Sequence, residues 1–123
     1  MSNEISYSFN LLLKNGSLND QFASTSKAAT QTVANLVRNV QAVPTAAAGT
    51  ALDLGGVATP GFSVFQNLDA ANYIEIGSQV TGVFYPLLKL KFGELVMCRI
   101  GIAAPYARAN GSAINLFYII YDD

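Results

Sequence analysis

Histidine is absent from all 123 residues. The chain therefore lacks the commonest general base, the Ser–His and Cys–His nucleophile pairs, and any imidazole ligand for a metal. Carboxylates are what remains. Asp53, Asp69, Glu75 and Glu94 lie in or beside extended segments, and two of them meeting in space would form a glycosidase pair. Their local patterns point elsewhere. Glu75 sits between Ile74 and Ile76, on the solvent side of an alternating strand. Asp69 falls in Asn67-Leu68-Asp69-Ala70-Ala71-Asn72, where a short acidic side chain binds nearby backbone N–H groups, and Glu94 follows Gly93 to open a strand. Cys98 is the single cysteine, which excludes an internal disulfide and a thiolate metal cluster. Its alternation with Val96 and Ile100 predicts a buried, inert thiol. Gly55-Gly56 lacks the Lys-Ser/Thr of a phosphate-binding loop, and no Asp-rich calcium loop is present. The expectation is a protein with no catalytic residues, no metal and no cofactor.

With chemistry set aside, composition speaks to assembly. Apolar residues make up 51% and charged residues 12% of the chain, about half the ~25% charged fraction usual in soluble domains. A chain of this length folds as one domain with a large surface for its volume, and so few charges leave apolar surface to be hidden against other copies or a partner. The net charge of −1 gives no electrostatic reason to bind nucleic acid or an anionic membrane. Lys89 and Lys91 share one strand face, but two lysines are not a phosphate track. Apolar runs are far short of the ~20 residues that span a bilayer. The opening Met-Ser-Asn-Glu-Ile-Ser has neither a basic nor an apolar region of a secretion signal, and an unbridged chain suits folding in the cytosol. Asn15-Gly16-Ser17 and Asn110-Gly111-Ser112 fit the glycosylation pattern, yet without such a signal both read as turns.

Strand signals dominate the elements. Ile5, Tyr7, Phe9, Leu11 and Leu13 alternate with Ser6, Ser8 and Asn10, the period of a half-buried strand, and the run stops at Asn15-Gly16. Residues 18–32, rich in Ser, Thr and Ala, read as an extended arm or loop. Val33, Leu36, Val37 and Val40 have helical spacing, but the segment is short and runs into Pro44, which disfavours helix at Val43. A strand over 37–43 is the better expectation. Further strands are expected at 51–54, 62–68, 73–76, 83–90, 94–100, 106–109 and 113–121, separated by turns at Asn67 and Asp69, Gly93, and Asn110-Gly111, with Gly61 and Gly77 supplying backbone freedom. Eight or nine short strands in one domain over 1–123 predict an all-β, antiparallel, jelly-roll-like sandwich. The last strand is apolar on both faces: Ile114, Leu116, Tyr118 and Ile120 on one, Phe117, Ile119 and Tyr121 on the other. Such a strand is covered on both, by the core on one side and a neighbouring subunit on the other. Most of the six Tyr and seven Phe fall at alternating strand positions and are assigned to the core or a subunit boundary.

One stretch goes beyond generic patterning. Ala51-Leu52-Asp53-Leu54-Gly55-Gly56-Val57-Ala58-Thr59-Pro60-Gly61, the turn Gln66-Asn67-Leu68-Asp69, and Asn72-Tyr73-Ile74-Glu75-Ile76-Gly77 resemble a small protein family encoded in bacteriophage genomes. The resemblance continues through Pro86-Leu87-Leu88-Lys89-Leu90-Lys91-Phe92-Gly93-Glu94, where Phe92 stands in place of the family's proline. It also takes in Ala107-Arg108-Ala109-Asn110 and the acidic end, Asp122-Asp123. It covers about three-fifths of the chain and implies a virion component, specifically a capsid cement or decoration protein.

The expected function is therefore structural: stabilising a major-capsid lattice, as a homo-oligomer with a trimer favoured, through contacts at Phe22, Phe117, Ile119 and Tyr121. The expected partners are other copies and the major capsid protein or another virion protein, and the expected location is the virion. The alternative is a tail-, fibre- or spike-associated domain that binds a host glycan or another virion protein, favoured by an open groove ringed with Tyr and Phe. An enzyme acting on host polysaccharide is opposed by the empty catalytic inventory.

Overall fold

A computed structural model describes residues 4–123, so half of the opening hexapeptide read for a secretion signal lies outside the described residues. Among those residues the protein is all-β, with twelve strands, every pairing antiparallel, and no helix. The chain divides between Thr32 and Val33 into two compact units.

The first unit is a two-stranded ribbon. Strand β1 (Ile5–Tyr7) pairs with β4 (Lys27–Ala29), and β2 (Asn10–Asn15) pairs with β3 (Leu18–Ala23). Between the two ladders, Phe9 N donates to Ser24 Oγ and Ser24 N donates to Phe9 O, both at 2.9 Å. The Asn15–Leu18 pair leaves Gly16 and Ser17 as a two-residue loop. Gly16 takes φ +58° at the first central position, where a type II′ hairpin turn needs glycine. Asn15 stays in the strand. The arm or loop expected at 18–32 is largely the return limb of this hairpin. Asn19, Asp20 and Gln21 have weak strand preference, but cross-strand partners decide strand formation more than intrinsic preference does, and β2 supplies a partner at every position.

The second unit holds eight strands: β5 (Leu36–Val43), β6 (Thr50–Ala51), β7 (Pro60–Asn67), β8 (Ile74–Val80), β9 (Val83–Leu90), β10 (Leu95–Arg99), β11 (Tyr106–Ala109) and β12 (Ile114–Asp122). They form two four-stranded sheets, ordered β10-β7-β12-β5 and β6-β11-β8-β9. The pairing is nested, with β5 on β12, β6 on β11, β7 on β10 and β8 on β9. At β5 the helical spacing of Val33 to Val40 gives way to a strand, because eight consecutive residues pair with β12 and Pro44 closes the segment.

Both sheets feed one apolar core. Val43, Phe65, Leu116, Tyr118 and Ile120 come from the first sheet, and Ile74, Ile76, Leu90, Ala107 and Ala109 from the second. The Tyr118 hydroxyl donates to the Asp53 carbonyl (2.6 Å), has Gln41 Oε1 at 3.0 Å, and accepts from Asn39 Nδ2 (3.1 Å). Burial pushes this phenol up from its ordinary range. Asn67 is fully buried and ties three segments together. Its Nδ2 donates to the Asn72 and Leu90 carbonyls, and its Oδ1 accepts from Asp69 N at 2.8 Å.

Two glycines expected at turns lie inside strands instead. Gly61 is in β7 beside Asp123, and Gly77 is in β8 at an irregularity of the β8–β9 register. Neither has positive φ, so close approach of neighbouring atoms, not a turn, calls for glycine there. Gly93 and Gly111 do occupy turns, with φ +75° and +84°, and Asn110 N donates to the Tyr73 carbonyl beside the latter.

Asp122, read from the sequence only as part of an acidic end, is buried. Its carboxylate accepts from Thr59 N (2.9 Å) and Ala58 N (3.2 Å). These N–H groups, that of Thr59 foremost, hold its carboxyl below the usual value. The N–H groups of Asn72 and Ala71 do the same for Asp69. A carboxyl depressed in the folded state contributes stability above its unfolded pKa of 3.8, and that stability is lost as pH falls through the folded value. Thermal melts are accordingly expected to hold steady above about pH 5 and decline progressively below about pH 4, with a flatter acid decline in Asp122→Asn. An acid limb of equal slope in that variant would contradict the assignment.

Candidate assembly surface

Each carboxylate weighed for catalysis is engaged locally. Asp69 Oδ2 accepts from Asn72 N (2.7 Å) and Ala71 N (3.0 Å), and Asp53 Oδ1 accepts from Gly55 N (2.9 Å). Glu94 Oε1 accepts from Lys91 N at 2.6 Å across the β9–β10 turn. Glu75 pairs with Arg108 Nη2 at 2.8 Å. These are the contacts of turns and a strand-face ion pair. Among the described residues, no group of three or more Cys, Asp or Glu side chains is placed to hold a metal ion. No helix is long and apolar enough to cross a membrane.

Cys98 differs from expectation. It is half-buried, because β10 is an edge strand whose inward side chains are open along one flank. It lines an apolar groove of about 470 Å³ with Ile76, Leu87, Leu88, Ile100 and Pro105. Desolvation raises its thiol pKa, which keeps it protonated and weakly nucleophilic near neutrality. None of the groove's lining residues is aromatic, so it offers no ring for a sugar to stack on, and the glycan-binding alternative gains nothing from it.

The two sheets present contrasting outer faces. On β6-β11-β8-β9, charged and aromatic groups are matched. Arg108 pairs with Glu75 and lies 4.7 Å from the Phe84 ring centroid, while Lys89 Nζ lies 4.0 Å above the Tyr73 ring. Exposed apolar side chains on that sheet are Val80, Val83 and Tyr85 toward the β8–β9 turn and Leu87 farther along β9.

The outer face of β10-β7-β12-β5 is mainly apolar, interrupted by Arg38, Gln66 and, at one end of β10, Arg99. Registers place Leu36, Arg38 and Val40 of β5 opposite Tyr121, Ile119 and Phe117 of β12, then Val64 and Gln66 of β7, then Met97 and Leu95 of β10. At the two edges Val40 is 52% and Leu95 57% exposed. In the middle Ile119 is only 9% exposed, and Phe117 and Tyr121 are half-buried. The cover expected from a neighbouring subunit is thus partly supplied from within the sheet. The Arg38 guanidinium reaches over Phe117 (5.9 Å to the centroid) and removes part of the ring from water. The uncovered remainder is the flanks.

The ribbon carries a second bare apolar stripe. Cross-strand pairs put Leu11 opposite Phe22, Leu13 opposite Asp20, and Asn15 opposite Leu18 on one face. Phe9 stacks at a tilt 5.5 Å from Phe22. Leu11 is 60% and Phe22 54% exposed. The opposite face is polar apart from Leu12 and Ala23, with Asn10, Lys14, Asn19 and Gln21. The alternation from residue 5 to 13 that promised a half-buried strand is present, and Ile5 and Tyr7 are half-buried, but Phe9, Leu11 and Leu13 are exposed. Phe22 stands in this stripe. Phe117, Ile119 and Tyr121 stand in the sheet face. Sequence reasoning missed Leu11, Leu36, Val40 and Leu95 as candidate contacts, and only the register, which sums apolar positions across strands, brings them together.

No family model, curated protein or solved structure matches the chain.

Proposed function

We propose that this chain is a structural protein of a bacteriophage particle, a capsid cement or decoration protein that binds and stabilises the major-capsid lattice as a homo-oligomer, with a trimer favoured. The observation that carries the reading is the bare apolar surface on one sheet face and on the ribbon. Monomeric proteins rarely leave large contiguous apolar patches open unless they are contact sites. The likeness of residues 51–61 and 66–77 to a phage-encoded family supplies the setting.

The second unit is, in this reading, a jelly-roll β-sandwich. The nested pairing of first strand with eighth, second with seventh, third with sixth and fourth with fifth is what a long antiparallel ribbon wound into two sheets produces, an architecture frequent in viral capsid domains. Fold alone assigns no function, so the apolar face and the family likeness bear the weight. Mechanistically, each contact contributes about 25 cal/mol per Å² of apolar area buried. Many symmetry-related copies then resist the outward pressure of packaged DNA without needing tight individual sites. The carboxylates engaged in turns and the absence of histidine favour a role without catalysis.

Quantitative mass spectrometry of purified particles tests the proposal. The expected result is a copy number comparable to that of the major capsid protein. Only a few copies per virion would remove the cement role.

A further inference from the structure

We infer that the apolar stripe of one chain's ribbon packs on the outer face of the β10-β7-β12-β5 sheet of a second copy, with Asp20 set against Arg38. The inference rests on the assembly half of the reading above and names the surfaces that would perform it.

The ribbon needs a cover. Two strands without a third layer are marginally stable in water, and this pair exposes Leu11, Leu18 and Phe22 to more than half of their surface. Of the two sheet faces, the β6-β11-β8-β9 face is dressed with the Glu75–Arg108 pair and Lys89, so an apolar stripe there would desolvate matched charges. The β10-β7-β12-β5 face has a matched charge only at one end, where Arg99 pairs with Asp123, and across the rest it offers Leu36, Val40 and Leu95.

Charge sets the alignment. Asp20 is the acidic residue of the stripe, directly across from Leu13. Arg38 lies within the apolar sheet face, over Phe117. The two ion pairs among the described residues, Arg99–Asp123 and Arg108–Glu75, involve neither. An acid carried on an apolar ribbon and a base carried on an apolar sheet complement one another, and both sit at exposed positions.

The area also fits a second copy. From residue 5 to 15 the ribbon is about 35 Å long at ~3.3 Å per residue and about 10 Å wide, a footprint of roughly 350 Å². A reciprocal exchange between two copies costs each chain about twice that area, close to the ~800 Å² per partner of a standard stable interface, whereas each contact of a larger ring buries about 350 Å² per partner. Both halves of the contact belong to the same polypeptide, so copies can join without any other protein.

A charge-swap series on the full chain tests this by sedimentation equilibrium, with thermal melts to verify folding. Asp20→Arg alone and Arg38→Asp alone are each expected to weaken self-association about tenfold or more. Asp20→Arg/Arg38→Asp in one chain should restore most of it. Unchanged association in both single variants would overturn the inference. So would a double variant that regains thermal stability while remaining monomeric, because the contact would then lie within one chain. Rescue in solution by a chain that particles lack would sustain this contact and remove the virion role, so the two readings fail separately.

Discussion

Gly77→Ala is expected to cost the second unit about 3 kcal/mol or more, among the largest losses a single methyl group can inflict. A Cβ on Gly77 would fall on the Tyr85 carbonyl oxygen, with Pro86 Cα at 3.0 Å. Both obstacles are backbone, and the Gly77–Pro86 and Ser78–Tyr85 pairings hold them in the ladder. No rotamer change relieves the clash, so β8 and β9 must separate or slide. Sliding by one residue would turn Ile74, Ile76 and Leu90 out of the core. In a domain of this size such a loss lowers the thermal midpoint by about 12 °C or more. Gly82→Ala is the control. Its φ of +81° strains any side chain, but nothing lies within 4 Å of the new Cβ, so about 1 kcal/mol is expected. Denaturant melts of the two variants check the ranking, and equal midpoints would show that the strand approach at Gly77 is not tight.

Val40→Glu combined with Leu95→Glu is expected to leave the fold intact and abolish self-association. The two side chains stand on opposite edge strands of the β10-β7-β12-β5 sheet, and each is more than half exposed. Substitution away from the core therefore costs each site about 0.5 kcal/mol. In a contact, each carboxylate would have to be buried against apolar atoms or be left unpaired, a penalty of several kcal/mol. Self-association of the purified chain, read by sedimentation equilibrium, should fall by about a hundredfold or more, while the melting curve stays close to the parent's. Undiminished binding would move the contact surface elsewhere on the molecule.

The parts of this fold that the sequence made legible are those where one strand's own alternation carries the signal. The strands at Val83–Leu90 and Tyr106–Ala109, the turn chemistry of Asp69, and the doubly apolar character of β12 all depend on neighbours along the chain. What escaped depends on neighbours across it. Residues 18–23 look like loop on composition, and only β2 makes them a strand. Gly61 and Gly77 look like turn residues, yet the need for glycine comes from Asp123 and from the Tyr85 carbonyl. Asp122 looks like a solvated terminal acid, but two N–H groups from the Ala58-Thr59 segment draw it inside. Cys98 follows a buried alternation, and its exposure follows from an edge position that no local pattern encodes. The contact surface was half visible for the same reason. Phe117, Ile119 and Tyr121 stand out within one strand, whereas Leu36, Val40 and Leu95 join them only once the register is known.

All of these expectations hang on apolar area that a lone chain leaves wet. Light scattering of the purified full-length chain over a wide concentration range measures that most directly. The account predicts a discrete closed oligomer, three copies being the favoured number, whose mass does not change on dilution through the micromolar range. A single-chain mass persisting at the highest attainable concentration would contradict it.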